Sequence, residues 1–148
     1  MRKYISEILE ELGYVEPFAE RVLYLQGWAN TALRNTLKYA FDKNLKPDVT
    51  EIPEYKEDDS PIDLSYNNIY TIHKQYYLFF DNNLRDNVRN KRLRGLLETT
   101  SEDEAEVLKQ VVLQNLNYKH LTEKLVRKAF PNLLTEKSDG PESEPEPN

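Results

Sequence analysis

The amino-acid sequence predicts an all-α protein: a single-domain bundle of about six helices with a long acidic loop and a disordered acidic C-terminal tail. Apolar residues recur at three- and four-residue spacings in successive segments, which is the pattern of helices that bury one face. The length of 148 residues corresponds to one domain. Ten Tyr, five Phe and one Trp favour a chain that packs a core.

Three helices are predicted in the N-terminal third, over about 3–13, 17–27 and 28–42. Ile5, Leu9 and Leu12 share one face of the first helix, and Gly13 is its predicted end. Pro17 suits the first turn of the second helix, since its missing N–H has no helical acceptor there. The third helix has an apolar face but no clear stop signal.

Residues 43–65 predict one long extended loop. Pro47, Pro53 and Pro61 prevent a helix here. Between 51 and 63 there are six acidic residues against Lys56, so this part carries a net charge of −5. A short strand remains open in this stretch. A loop of this length is uncommon in a compact domain and is often functional or disordered.

Helical periodicity returns over about 66–80, with Ser65 as the predicted N-cap. The polar residues 81–83 predict a break before a fifth helix at 84–98. The alternative is one long kinked helix over both segments.

The C-terminal part predicts two more helices. Ser101 and Glu104 form a capping-box pattern before a helix at about 102–114. A last short helix begins near Thr122 and is stopped by Pro131, and the apolar residues that follow are expected to dock on the body. The helical domain therefore spans 1–135. Residues 136–148 hold five acids against one Lys, a net charge of −4, and are predicted to be disordered.

The composition and the residue spacing exclude several kinds of functional site. There is no Cys, which excludes disulfides and thiolate sites. His73 and His120 lack the spacing of a metal site, and the acids at 57–59 lack the spacing and glycine of an EF-hand. No glycine begins a phosphate-binding loop, and no hydrolase signature is present. We therefore expect no catalytic residues, no metal and no cofactor, and we expect that the chain is not an enzyme.

Two basic patches and two tyrosines are the predicted contact residues. Residues 84–95 carry five basic residues against one acid, and three arginines are spaced i, i+4 and i+7 on one predicted face. A second patch lies in the last helix, and two tyrosines at 66–80 fall off the apolar stripe. The predicted contact residues are Arg85, Arg89, Arg92, Lys124, Arg127, Lys128, Tyr70 and Tyr77. Either patch could contact phosphates or a protein partner, and the alternative is a solvated helix face.

A recognisable pattern of residues runs through three parts of the chain. Its N-terminal part is Lys3–Leu9, and its middle part is Tyr39–Asp42 with Lys46–Asp48. Its C-terminal part comprises Leu96, Leu97, Glu98, Glu104, Ala105, Tyr118, Leu121, Thr122, Lys124, Leu125, Val126, Ala129, Phe130 and Pro131. This pattern resembles a family of small uncharacterised proteins from T-even-like tailed phages, mainly marine ones. The resemblance covers most of the predicted helical domain. It implies a phage origin, and it implies no activity or site residues.

The leading functional hypothesis is a non-enzymatic phage accessory protein that binds a host or viral protein, since acidic and basic residues are segregated along the chain. The alternatives are nucleic-acid binding through the basic faces and a role as a virion or assembly component. The acidic tail suits a basic surface, either its own or a partner's. No apolar run approaches the ~18 residues that span a bilayer, so we expect no membrane contact and a place in the host cytoplasm. The oligomeric state is left open.

Overall fold

The computed structural model describes residues 3–135, and the helices it contains there agree with the predicted all-α class. Seven α-helices occur in this range: α1 (Ile5–Leu12), α2 (Phe18–Gly27), α3 (Thr31–Phe41), α4 (Ile69–Ile72), α5 (Asp86–Glu98), α6 (Glu102–Val112) and α7 (Glu123–Ala129). Two 3-10 helices, Ile62–Leu64 and His73–Phe79, complete it. The described part has isolated β-bridges but no strand. The predicted disordered tail at 136–148 lies outside the described residues.

Helix α6 is at the centre of the bundle. It packs against α1, α3 and α4, while α2 packs mainly against α7. Val107, Leu108, Val111 and Val112 of α6 are fully buried, at the spacings that put them on one side of the helix. The polar positions of α6 are consequently left for its opposite face and for its first turn.

The segment predicted as one helix over 66–80 is divided into two different helices. Only α4 is α-helical, and the following seven residues form a 3-10 helix. With three residues per turn, a 3-10 helix aligns every third side chain. His73, Tyr76 and Phe79 are all buried for this reason. The tighter helix thus buries a histidine that lies beside the main apolar stripe of a regular α-helix.

The start of this segment also differs from the prediction. Ser65 is not an N-cap, because α4 begins four residues later and is preceded by Asn68. The Asn68 N–H donates to Thr71 Oγ1 at 3.0 Å. At the other end, Asp81 and Asn83 have φ values of 50° and 52°. The 3-10 helix has already ended at Phe79, because Phe80 is extended. The left-handed conformation that follows, which Asp and Asn tolerate, prevents a continuous helix, so the alternative of one long helix is wrong.

The loop predicted at 43–65 is confirmed as mostly irregular chain. A single 3-10 turn interrupts it, and two isolated bridges, Pro47 with Phe80 and Asp58 with Ser101, hold it to the body. Val49 is buried, so the loop also contributes to the core.

The predicted capping box of α6 does not form. The buried Ser101 hydroxyl has no hydrogen-bond partner among the described residues. Glu104 instead points into the core, where it is fully buried. Its Oε2 accepts from the Ser6 N–H at 2.8 Å, and its Oε1 accepts from the Ile69 N–H at 2.7 Å. One carboxylate therefore joins the N-termini of α1 and α4, whose free N–H groups and dipoles favour negative charge.

The last part of the described chain agrees with the prediction. The Thr122 hydroxyl accepts from the Leu125 N–H at 3.2 Å and caps α7. Leu134 is buried beyond the helix. Thr135 donates to Asp42 Oδ2 from its hydroxyl at 2.8 Å and from its N–H at 3.2 Å. The chain is therefore anchored to the body up to residue 135.

Candidate functional site

A concave surface lies between α1, α6 and the chain that follows α6. Its volume is about 650 Å³. We call it the acidic cleft, and it is lined by Glu7, Glu10, Glu11, Asp103 and Glu106, together with Ser6, Gln110, Asn117, Tyr118 and Lys119. The packing of α1 on α6 places the polar face of each helix beside the other. Five carboxylates and a single lysine thus surround one cleft.

The carboxylates at one edge of the cleft have partners within the chain. Glu11 bonds to Lys3 and accepts from the Tyr24 hydroxyl at 3.2 Å. The hydrogen bond from Lys3 is the main cause of a lowered Glu11 pKa. Glu106 accepts from Gln110 Nε2 at 3.0 Å, and its pKa is lowered first by this bond and also by Lys109. These groups are therefore held as anions.

Glu10 and Asp103 differ from these carboxylates. Both are exposed, and neither carboxylate makes a hydrogen bond or ion pair with another described residue. Tyr118 lies beside them, and its pKa is raised first by burial and then by the negative charges of Glu106, Glu10, Glu104 and Asp103. Its hydroxyl stays protonated and can act as a hydrogen-bond donor in a strongly negative environment. The cleft therefore favours the binding of a cationic group.

A second concave surface, between α2 and α7, has the opposite charge. We call it the basic cleft. It has a volume of about 750 Å³ and is lined by Phe18, Glu123, Lys124, Arg127 and Lys128. Lys124 Nζ lies 5.4 Å from the centre of the Phe18 ring, within the range of a cation–π contact. The structure thus brings together all three predicted contact residues of the last helix.

The cations of the basic cleft are engaged to different degrees. Arg127 Nε donates to Glu123 Oε2 at 2.8 Å, and its Nη2 donates to the Thr135 carbonyl at 3.1 Å. The Lys128 side chain is exposed and makes no hydrogen bond or ion pair with another described residue. Lys124 and Lys128 are therefore the cations with most freedom to bind an anion.

The three arginines predicted to share one face of α5 have different environments. Arg85 precedes the helix and is exposed. The Arg89 side chain is only 12% exposed, and it donates to the Leu84 carbonyl at 3.2 Å and to Asp86 Oδ1 at 2.9 Å. Arg92 is exposed and donates to Gln75 Oε1 at 3.2 Å. Arg89 thus stabilises the start of its own helix, and only the other two present free surface.

The two predicted contact tyrosines also differ. The Tyr70 hydroxyl donates to the Lys3 carbonyl and accepts from Asn30 Nδ2 at 3.3 Å, so this residue ties α4 to the N-terminus of the described chain. Tyr77 is 54% exposed, which leaves its ring available for contacts.

Neither histidine is among the residues that line the two clefts. His73 is buried, and its Nδ1 is 2.8 Å from Asn35 Nδ2, while His120 Nε2 is 3.2 Å from Arg21 Nη2. Within residues 3–135, no group of three or more His, Asp or Glu side chains is arranged to hold a metal ion.

The acidic cleft is the feature that sequence reasoning missed. Its signals were present as Glu7, Glu10 and Glu11 on the polar face of α1, and as a run of five acids without a base over 98–106. Taken alone, each of these two signals is typical of a solvated helix face. Their meeting depends on the packing of α1 against α6.

No protein-family model matches the chain, and no curated protein is significantly similar to it. Between residues 3 and 135, none of the helices has both the length and the apolar character to cross a membrane.

Proposed function

We propose that this chain is a non-enzymatic accessory protein of a tailed phage that binds a host or viral protein through the acidic cleft. The observation that carries the proposal is the convergence of five carboxylates on one concave surface of about 650 Å³. The carboxylates of Glu10 and Asp103 have no partner among the described residues, and like charges that line one cleft repel each other. A partner that supplies cations relieves this repulsion.

The chemistry of the cleft favours a Lys- or Arg-rich protein segment as the ligand. Complementary charge speeds association and selects the partner, while apolar and aromatic contacts supply affinity. Tyr118, which also lines the cleft, provides such a contact and a hydroxyl donor. A nucleic acid is disfavoured in this cleft because its phosphates would meet the same carboxylates.

A titration with a designed peptide tests this proposal. The probe is a short Lys- and Leu-rich peptide, and its control is the same peptide with Glu in place of Lys. We expect the basic peptide to shift the amide NMR signals of α1 and α6 in ¹⁵N-labelled full-length protein. We expect the double variant Glu10→Gln/Asp103→Asn to weaken binding by roughly tenfold, which corresponds to about 1.4 kcal/mol.

The matched control is Glu51→Gln/Asp59→Asn, which removes the same charge from exposed positions of the loop. It should change the affinity by less than about twofold, because these residues lie outside the cleft. Equal weakening by both variants, or signal shifts spread over the whole surface, would show that the peptide responds to net charge alone. That result would overturn the proposal.

Nucleic-acid binding is the second candidate function, and it is favoured by the exposure of Arg85, just before α5, and of Arg92 within it. Phosphate contacts predict affinity that falls steeply with salt. A gel-shift titration with duplex and single-stranded DNA at two salt concentrations tests this, with Arg85→Glu/Arg92→Glu as the variant. Arg89 is left intact because it stabilises its helix. The absence of a salt-sensitive shift at micromolar protein would exclude this function.

A further inference from the structure

The basic cleft has the composition of an anion-binding surface. Lys124, Arg127 and Lys128 line it with a single acid, Glu123, and that acid is already bonded to Arg127. Its lining therefore retains a net charge of +2, from three cations and one anion. Phe18 closes one side of the cleft and holds Lys124 over its ring.

The end of the described chain lies at the rim of this cleft. The Thr135 carbonyl accepts from Arg127 Nη2 at 3.1 Å, so Thr135 lies one hydrogen bond away from a guanidinium that lines the cleft. Thr135 is held in this position because its hydroxyl and its N–H both donate to Asp42. Burial opposes ionisation of Asp42, but its hydrogen bonds from Thr135 and Asn44 and the charge of Lys38 lower its pKa and keep it an acceptor.

The sequence that follows Thr135 is complementary in charge. Residues 136–148 contain Glu136, Asp139, Glu142, Glu144 and Glu146 against Lys137. We propose that this acidic segment binds the basic cleft of its own chain, with its carboxylates paired to Lys124 and Lys128. A short tether gives such a segment an effective concentration on the order of millimolar, so weak ion pairs suffice for occupancy. Other polyanions then compete with this segment for Lys124 and Lys128.

A spin label on the acidic segment tests this inference in the full-length protein. The chain has no cysteine, so Ser143→Cys introduces a single labelling site. We expect a nitroxide at this position to broaden the amide signals of Phe18, Lys124 and Lys128. The tether alone causes some broadening, and the reference is therefore the same labelled protein with Glu142→Gln/Glu144→Gln/Glu146→Gln. Charge pairing predicts relaxation enhancement at least about twofold above this reference.

Two further arms complete the test. The matched control Glu51→Gln/Glu54→Gln/Glu57→Gln removes three charges from the exposed loop and should leave the broadening unchanged. The broadening should fall to the reference level in about 0.5 M sodium chloride, where the screening length is only a few ångströms. Broadening that ignores both salt and the three segment substitutions would overturn the inference.

A mixing experiment distinguishes binding of the acidic segment to its own chain from binding to a second copy. Spin-labelled protein without ¹⁵N is added to unlabelled ¹⁵N protein, and no broadening is expected at about equal, micromolar concentrations. Broadening of α7 in this mixture would assign the segment to the cleft of a second copy and overturn binding in cis. This test is independent of the acidic cleft, because no residue of that cleft is changed.

Discussion

Asp103 and Glu104 are neighbours in α6, yet their carboxylates have opposite environments. Glu104 is fully buried and accepts two backbone hydrogen bonds, at 2.8 Å from Ser6 and 2.7 Å from Ile69. Asp103 is exposed in the acidic cleft and pairs with no described residue. One face of α6 thus uses a carboxylate to hold helices together, and the other presents carboxylates to solvent.

The difference teaches that charge in this protein has two separate roles. A buried anion is costly unless its oxygens are satisfied, and the free N–H groups of two helix N-termini satisfy both oxygens of Glu104. An exposed anion loses little hydration and contributes little to stability, so it remains available to a partner. Substitutions on the two faces should therefore have unequal effects on folding.

The largest effect is expected for Glu104→Ala. It leaves the Ser6 and Ile69 N–H groups buried without an acceptor, and two charge-assisted hydrogen bonds of about 1.5–3 kcal/mol each are lost. We expect a loss of roughly 3–5 kcal/mol in the free energy of unfolding, measured by urea denaturation followed by circular dichroism. The control is Glu102→Ala in the same helical turn, which should cost less than about 1 kcal/mol. Similar losses for both variants would contradict the comparison.

The next largest effect on the free energy of unfolding is expected for Glu104→Gln. This variant tests the contribution of the negative charge at nearly constant side-chain size. The amide keeps the size of the side chain and one acceptor oxygen, but its NH₂ group faces a backbone N–H. We expect a loss of about 1–3 kcal/mol, less than for Glu104→Ala, in the same denaturation experiment. A variant as stable as the wild type would mean that the negative charge is unimportant here.

A smaller effect is expected from His73, a second titratable group on the buried side of the molecule. Burial lowers its pKa in the folded protein, and the charge of Lys74 lowers it further. Because the unfolded chain binds the proton more readily, the free energy of unfolding should be highest above about pH 6.5 and should fall on acidification through the folded pKa.

The measurement is the free energy of unfolding between about pH 5.5 and 7.5, a window above the carboxylate titrations. The substitution His73→Gln should reduce the slope of this free energy against pH. His120 is present in both proteins, so the difference between them isolates His73. An unchanged slope would show that His73 titrates alike in the two states.

The smallest effect is expected for Glu10→Gln/Asp103→Asn in the acidic cleft. Both residues are exposed and unpaired within the described chain, so thermal unfolding should show a change within about 0.5 kcal/mol, and any change should be stabilising because repulsion is relieved. A loss comparable to that of Glu104→Gln would contradict the separation of the two faces and would assign a structural role to the cleft.

Local sequence patterns predicted most of the helices because their signals act over one or two turns. The apolar periods of α1, α3, α6 and α7 appear in the fold, and Thr122 caps its helix as expected. The prediction was wrong at Ser65 and at the capping box of Ser101 and Glu104. The N-cap predicted at Ser65 lies three residues later, at Asn68. Glu104 instead accepts from the N–H groups of Ser6 and Ile69, which are distant in sequence.

The sequence by itself determined the all-α class, the long loop and the segregation of charge, because these depend on spacing between near neighbours. It predicted a break at 81–83 but left one long kinked helix open. Only the tertiary structure decided that Glu104 would bond to Ser6, 98 residues away. It also decided that the acids of α1 and α6 would share one cleft, and that α2 and α7 would form the basic one. Such pairings depend on which apolar faces pack together, and many residues of each helix contribute to that choice.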